Sequence, residues 1–368
     1  MSWDGRGGSD LAQHHARVGF ELQERGDLEG ALRHYGRAAE EFPNFPGLHR
    51  QRGWLHYQRG DFQAALSDLS VEIELDPGDL SSVEYRAKVR LALDDFEGAL
   101  KDYSWLVART PDPSRAYCLR ASAYSQSGIL DRALDDGSFA IEIDSRNADA
   151  YVTRGWILLR RGEVDLAVAD ARRALTLDKK NVRANQFQGR LYLVEGKLEE
   201  ARERFGRAIK GGWPELSVAV VLYLEGRLKE ARDRFERSIA DCWNNPELRD
   251  TGSLLLWLCR RALGQGEEAD SGLRTAMERP SPRPADWTGR IAAFLLGDLP
   301  EAAFRAAAVS PSPALRAERE AQAAFHIGLR RKLAGDGAGA ARAFQDCVES
   351  KAVATYEWVL ARGERASG

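Results

Sequence analysis

The feature that most constrains this chain is a period of 34 residues. Gly19, Gly53, Ala87, Ala121, Gly155 and Gly189 recur at that interval without an insertion, and so do Ala31, Ala65, Ala99, Ala133, Ala167 and Ala201. Gly26, Gly60, Gly128, Gly162 and Gly196 lie between the two sets and break the chain between two helical stretches; Asp94 takes that place in the third period. Pro43, Pro77 and Pro111 close the early periods. Ala31, Tyr35 and Ala38, spaced four and three apart, share one helix face. The small residues let two helices approach closely, and Tyr35 is expected to pack against the next unit. A helix–turn–helix repeated at fixed spacing cannot bury its apolar face alone, so its units must stack.

Stretches such as RQRGWLHYQRGDFQAALSDLSVEIELDP and VTRGWILLRRGEVDLAVADARRALTLD carry these rungs and resemble the tetratricopeptide repeat (TPR). The resemblance implies an all-α, right-handed α-solenoid of stacked helix–turn–helix units. Six units in register are expected over 11–212, after a disordered lead-in at 1–10. Gly137, in the fourth unit, stands where a large residue is usual and predicts a shallow spot in the packing. Beyond 212 the register breaks: Ala219 follows Gly189 by only 30 residues, and Trp213-Pro214 falls in a shortened connector. This predicts a changed rotation across 209–217. Two irregular units are expected over 213–280, ending in a linker where Pro280, Pro282 and Pro284 forbid helix continuation. Residues 281–368 then read as a helical, repeat-like cap.

The cap brings a second resemblance. WTGRIAAFLLGDLPEAAFRAAA, AAFHIGLRRKLAGD and a closing Tyr-Glu helix, over roughly 281–361, are similar to the C-terminal half of NlpI-like bacterial TPR proteins. Those are envelope lipoproteins that act as adaptors for hydrolases and proteases, often as dimers. A lipoprotein needs a lipidated cysteine behind a signal peptide, whereas the first cysteine here is Cys118. The adaptor architecture carries over as an expectation, with dimerisation open, and the envelope location does not.

Composition removes several function classes. A formal charge of −3 provides no overall basic field for nucleic acid or an anionic membrane. The longest apolar runs, LSVAVVLYL and SLLLWLC, fall short of the roughly 18 residues of a membrane span. Cys118, Cys242, Cys259 and Cys347 show no paired spacing and read as buried free thiols of a reducing, cytoplasmic compartment. MSWDGRGGSD lacks the apolar stretch of an export signal.

Catalytic patterns are as thin. Gly335–Ala340 reads GDGAGA, the letters of a dinucleotide fingerprint, but follows a helix and falls where other units turn. His49 and His56 share a helix, near His14-His15, yet the register places no carboxylate or thiolate among them, so no metal or other cofactor is expected. No enzyme is expected either. A paired ladder is clearer: Arg52, Arg86, Arg120 and Arg154 each precede Asp68, Asp102, Asp136 and Asp170 by 16 residues, which predicts ion pairs between the two helices of a unit.

The first-helix positions that line the groove of TPR proteins map here onto Arg50, Trp54, Tyr57, Gln58, Lys88, Arg115, Ser122, Gln126, Trp156, Arg160, Arg183, Gln186 and Arg190, with Glu84 and Asp149 as acidic members. Two tryptophans, a tyrosine and six cations suit an extended peptide bearing acidic or aromatic groups. The lysine–asparagine clamp for a chaperone's C-terminus is missing. The expected function is therefore a non-catalytic scaffold or adaptor holding a partner's peptide in its concave groove. The alternative is a regulatory subunit bound through its convex side or cap. RNA binding needs stacked aromatics on successive repeats and is disfavoured, since Trp54 and Trp156 are three units apart.

Overall fold

The computed structural model describes residues 10–208, 212–241, 246–278, 287–309, 312–350 and 352–366. The expected lead-in (but for Asp10), the middle of the shortened connector, the proline-rich linker and Cys242 lie outside these residues. The chain forms two compact bodies, divided between Pro111 and Asp112. Among the described residues the regular structure is entirely helical.

The N-terminal body holds three helix pairs: α1 (Asp10–Glu24) with α2 (Leu28–Glu41), α3 (Leu48–Arg59) with α4 (Phe62–Leu75), and α5 (Leu80–Ala92) with α6 (Phe96–Val107). In the C-terminal body the repeats continue as α7 (Pro113–Gln126) and α8 (Leu130–Ile143), α9 (Ala148–Arg160) and α10 (Val164–Leu177), and α11 (Val182–Glu195) and α12 (Leu198–Arg207). The irregular units follow as α13 (Gly212–Leu224) with α14 (Leu228–Asp241) and α15 (Pro246–Ala262) with α16 (Gly266–Met277). The cap is α17 (Trp287–Leu296), α18 (Glu301–Ala307), α19 (Pro313–Leu333), α20 (Gly337–Glu349) and α21 (Tyr356–Ala366).

Each turn rung adopts the left-handed conformation that ends a helix without a Cβ clash, as at Gly60 with φ 82°. Asp94 occupies the same region at φ 60°, the one non-glycine to do so among the described residues, and aspartate tolerates it better than most side chains. The small rungs act as anticipated. A Cβ at Gly19 would lie 2.8 Å from the Tyr35 ring and 3.3 Å from the Ala31 carbonyl, so α1 and α2 meet at near-backbone contact. Tyr35 also joins Leu48 and Leu55 of the next pair in one buried cluster. The same contact returns 16 residues apart in Gly189 with Phe205 and in Gly328 with Phe344, which marks α19–α20 as a degenerate repeat. Gly335, at φ 81°, and the capping residue Asp336, whose carboxylate accepts from Gly339 N at 2.8 Å, make GDGAGA its turn.

Two local expectations are corrected. Gly137 leaves no hollow, because α9 closes in: a Cβ there would stand 3.3 Å from that of Arg154. Trp213-Pro214 belongs to the first turn of α13, where a missing proline N–H costs nothing, rather than to a connector.

The core of the C-terminal body explains why its cap stays in place. One buried apolar cluster runs from Tyr151 to Ala361, joining Phe187, Phe205 and Trp257 of the repeats to Phe294, Phe325 and Leu360 of the cap. At roughly 1.5–3 kcal/mol per buried large side chain, this seam anchors α17, α19 and α21 against the preceding repeats.

Candidate functional site

The Arg–Asp ladder pairs as its spacing implies. Arg52 grips Asp68 with Nε at 2.7 Å and Nη2 at 2.5 Å, Arg86 grips Asp102 at 3.0 and 2.7 Å, Arg120 grips Asp136 at 2.7 and 2.8 Å, and Arg154 grips Asp170 at 2.8 and 2.7 Å. All four carboxylates are buried and each is held by two nitrogens of its ladder arginine, so the forks brace the helix pairs α3–α4 to α9–α10 and spend these arginines internally. The histidine reading needs correction. Asp68 does converge on them, 3.5 Å from His49 Nδ1 and 3.9 Å from His56 Nε2. Its oxygens are already held by Arg52, and His49 Nε2 lies 2.6 Å from the Pro43 carbonyl.

In the N-terminal body the groove candidates build an aromatic stack. Trp54 lies on Tyr57 at a centroid distance of 5.2 Å and on Tyr85 of the next repeat at 4.6 Å, with planes tilted by 18° and 23°. The Lys88 ammonium stands 5.4 Å from the Tyr85 ring centroid. All four side chains are half-buried, as are Arg50 and Gln58. Trp54 was expected to face solvent; its stacking on Tyr85 makes it part of the joint between repeats as well. Tyr85 itself was missed, because it falls one position after Glu84 in the groove register. An aromatic within one turn of Lys88 was the available signal.

Four of the six groove cations meet carboxylates of their own chain. Arg50 is bound to Asp79 at 2.7 Å, Lys88 to Glu84 at 2.7 Å, Arg160 to Glu318 at 2.7 Å, and Arg183 lies 3.5 Å from Asp149. Carboxylates of the same chain thus neutralise these positions, and long-range attraction for an acidic peptide is correspondingly weakened.

In the C-terminal body the cap returns onto the first helices of the repeats. Glu318 on α19 accepts from Arg160 Nε and Nη2, at 2.7 and 2.8 Å, while Arg160 Nη1 donates to the Ser125 carbonyl. Arg362 on α21 donates to the Val194 carbonyl of α11. Arg190, expected to be exposed, is buried: its Nη2 donates to the Ala354 carbonyl at 2.6 Å, and its Cζ lies 4.0 Å from the Tyr356 ring centroid. Burial lowers its pKa. Trp156 leans on Phe187 at 4.8 Å. Arg115, Gln126 and Arg183 are exposed, and the Ser122 hydroxyl is turned back onto the Cys118 carbonyl at 2.9 Å.

Between repeats and cap lies a cavity of about 480 Å³. Trp156, Gln186 and Arg190 are the groove candidates on its wall; Trp257, Trp287, His326 and Glu357 share it and were not read as site residues. Trp287 and the Tyr356-Glu357 pair did stand out in the sequence, but nothing local ties them to Arg190, 97 residues before Trp287 and 166 before Tyr356. Burial alone would raise the Glu357 carboxyl, but the His326 imidazole and the Gln322 amide outweigh it and hold the carboxyl below its usual range.

Comparisons with known proteins follow the same lines. A family model described as Tetratricopeptide repeat matches residues 21–79, 86–145, 130–182 and 188–246, more than half of the chain. Stacked helix pairs of this kind define a class of protein-interaction scaffolds. The chain belongs to the tetratricopeptide repeat family. Among solved structures, a tetratricopeptide repeat protein from Parabacteroides merdae is 18% identical, with a TM-score of 0.54, covering 68% of this chain and 99% of its own. TTC0263 from Thermus thermophilus is 24% identical, with a TM-score of 0.38 and coverages of 54% and 90%. MamA from Desulfovibrio magneticus is 22% identical, with a TM-score of 0.43 and coverages of 48% and 99%. None of the curated proteins compared with the chain matches it. No helix among the described residues is long and apolar enough to cross a membrane.

Proposed function

We propose that the chain is a non-catalytic scaffold that takes a partner's extended peptide on the first-helix face of its N-terminal repeats. Trp54, Tyr57 and Tyr85 form the seat, flanked by Arg50, Gln58 and Lys88. The observation that carries this reading is the half-buried three-ring stack. Its edges and outer faces are apolar surface with a polar rim, the composition favoured at the centre of protein interfaces. Because Arg50 and Lys88 already hold carboxylates, the peptide is recognised through aromatic or apolar side chains before acidic ones. Exposed Arg115, Gln126 and Arg183, with Ser122, are proposed as separate contacts on the C-terminal body.

Selection of displayed peptides on the full chain tests this reading. Enriched sequences are expected to carry aromatic residues and to lose at least tenfold in affinity against Trp54→Leu, which removes the ring and leaves an apolar side chain in the repeat joint. Enriched peptides that bind Trp54→Leu and Tyr85→Leu as tightly as wild type refute it.

A further inference from the structure

Arg190 differs from the other cations of the groove register. Arg50, Lys88, Arg160 and Arg183 each meet a carboxylate. Arg190 is only 4% exposed and meets none within ion-pair distance among the described residues. Its Nη2 is served by the Ala354 carbonyl, but its Nε and Nη1 are buried without a hydrogen-bond partner. A guanidinium is a five-donor fork shaped for a two-oxygen anion, and burying it half-satisfied is costly.

The same cavity wall holds His326, 5% exposed, with neither ring nitrogen hydrogen-bonded. Glu357, the wall's carboxylate, acts on Arg190 through its field without an ion pair, and its Oε1 is engaged by Gln322 at 3.3 Å and by His326 at 3.8 Å. Tyr356 is likewise committed, its hydroxyl 2.8 Å from Ser217 Oγ and its ring under the Arg190 guanidinium. The rest of the lining is largely apolar, with Trp156, Leu254, Trp257, Ile291 and Phe325. A volume of about 480 Å³ lies within the roughly 300–1,000 Å³ of small-molecule sites, which pair apolar walls with a few fixed polar groups.

We propose that this cavity binds a compact apolar carboxylate, an oxygen of which takes an unpartnered Arg190 N–H, His326 offering a further polar contact and the indole and phenyl walls enclosing the apolar body. The carboxylate comes either from a free aromatic or branched aliphatic acid or from the C-terminal residue of a peptide. The site is made of different residues from the Trp54 seat, so either can fail without the other.

The test uses the full chain and calorimetric titration with five probes: 3-phenylpropionate, 4-methylpentanoate, 3-phenylpropanamide, and an acetylated tetrapeptide ending in phenylalanine, as free acid and as amide. Binding of a small acid at least tenfold tighter than the amide supports the proposal with a free acid as ligand. Binding of only the free-acid peptide supports it with a peptide terminus. In either case Arg190→Lys, which keeps the charge and loses the planar guanidinium donors, weakens binding at least tenfold. Thr288→Trp, which fills the cavity from α17 and leaves Arg190 in place, abolishes it; this second variant decides the matter if Arg190→Lys fails to fold. Acids and amides binding equally, no probe binding, or binding unchanged in Thr288→Trp overturns the proposal.

Discussion

Asp102→Asn removes one carboxylate at the centre of two guanidinium groups. Asp102 accepts from Arg86 Nε at 3.0 Å, Arg86 Nη2 at 2.7 Å and Arg90 Nη1 at 2.7 Å, and its side chain is 6% exposed. Asparagine keeps the shape but turns an amide donor toward an arginine donor. Breaking a fully buried pair costs about 3–5 kcal/mol, and a surface pair about 0–1. Arg86 and Arg90 are 19% and 22% exposed, so water recovers part of their solvation. The expected loss is therefore about 3 kcal/mol, roughly a hundredfold in the local opening equilibrium. Stability in repeat arrays is local, so hydrogen exchange of the α5 and α6 amides in the full chain is the suitable readout. Helix α6 supplies its own control: Lys101 and Glu97 form an exposed pair at 2.7 Å, and Glu97→Gln should leave exchange in α6 nearly unchanged. A loss below about 1 kcal/mol for Asp102→Asn, close to the control, refutes the view that the ladder braces each repeat.

Two further outcomes follow from the packing and from Asp68. Gly189→Ala puts a methyl 2.7 Å from the buried Phe205 ring, and the overpacking outweighs the gain in helix propensity, for a net loss of about 1–2 kcal/mol in urea denaturation; a neutral or stabilising result contradicts the close-approach account. Burial alone would raise the Asp68 carboxyl, but Arg52 and His49 outweigh it and leave it lowered, so its contribution is present above about pH 4 and fades as pH falls through the lowered value. His49 is raised, chiefly by Asp68, so its contribution is complete below about pH 6.5 and is lost as pH rises through the folded-state value. Stability of the N-terminal body should therefore decline as pH rises above about 6.5, and His49→Gln should flatten that limb; an unchanged limb rules the His49–Asp68 contact out as its cause.

What could be read in the sequence, and what could not, divides along locality. The 34-residue period specifies helix pairs, left-handed turns and the 16-residue Arg–Asp spacing, because each depends on residues within one repeat or its neighbour. The stack of Trp54 on Tyr85 is nearly as local, yet needs the twist between repeats to bring the second ring under the first. The cap is another matter. Glu318 meets Arg160 across 158 residues, and Arg190 meets Ala354 across 164, through helices whose repeat pattern is degenerate. A register projected onto α9 and α11 marks their outward face as groove without knowing that α19 and α21 return to cover part of it. Gly137 teaches the same lesson on a smaller scale, since a missing side chain reads as a gap until the neighbouring backbone fills it.

The central claim, that the N-terminal repeats present an aromatic seat for a partner peptide, is tested most directly by a hydrogen-exchange footprint of the full chain with its selected peptide. The account predicts slowed exchange concentrated in α3 and α5, around residues 50–58 and 84–90, and no such footprint in Trp54→Leu. Protection confined to the second helices of the repeats or to α17–α21, with α3 and α5 unchanged at saturation, contradicts it and places recognition on another face.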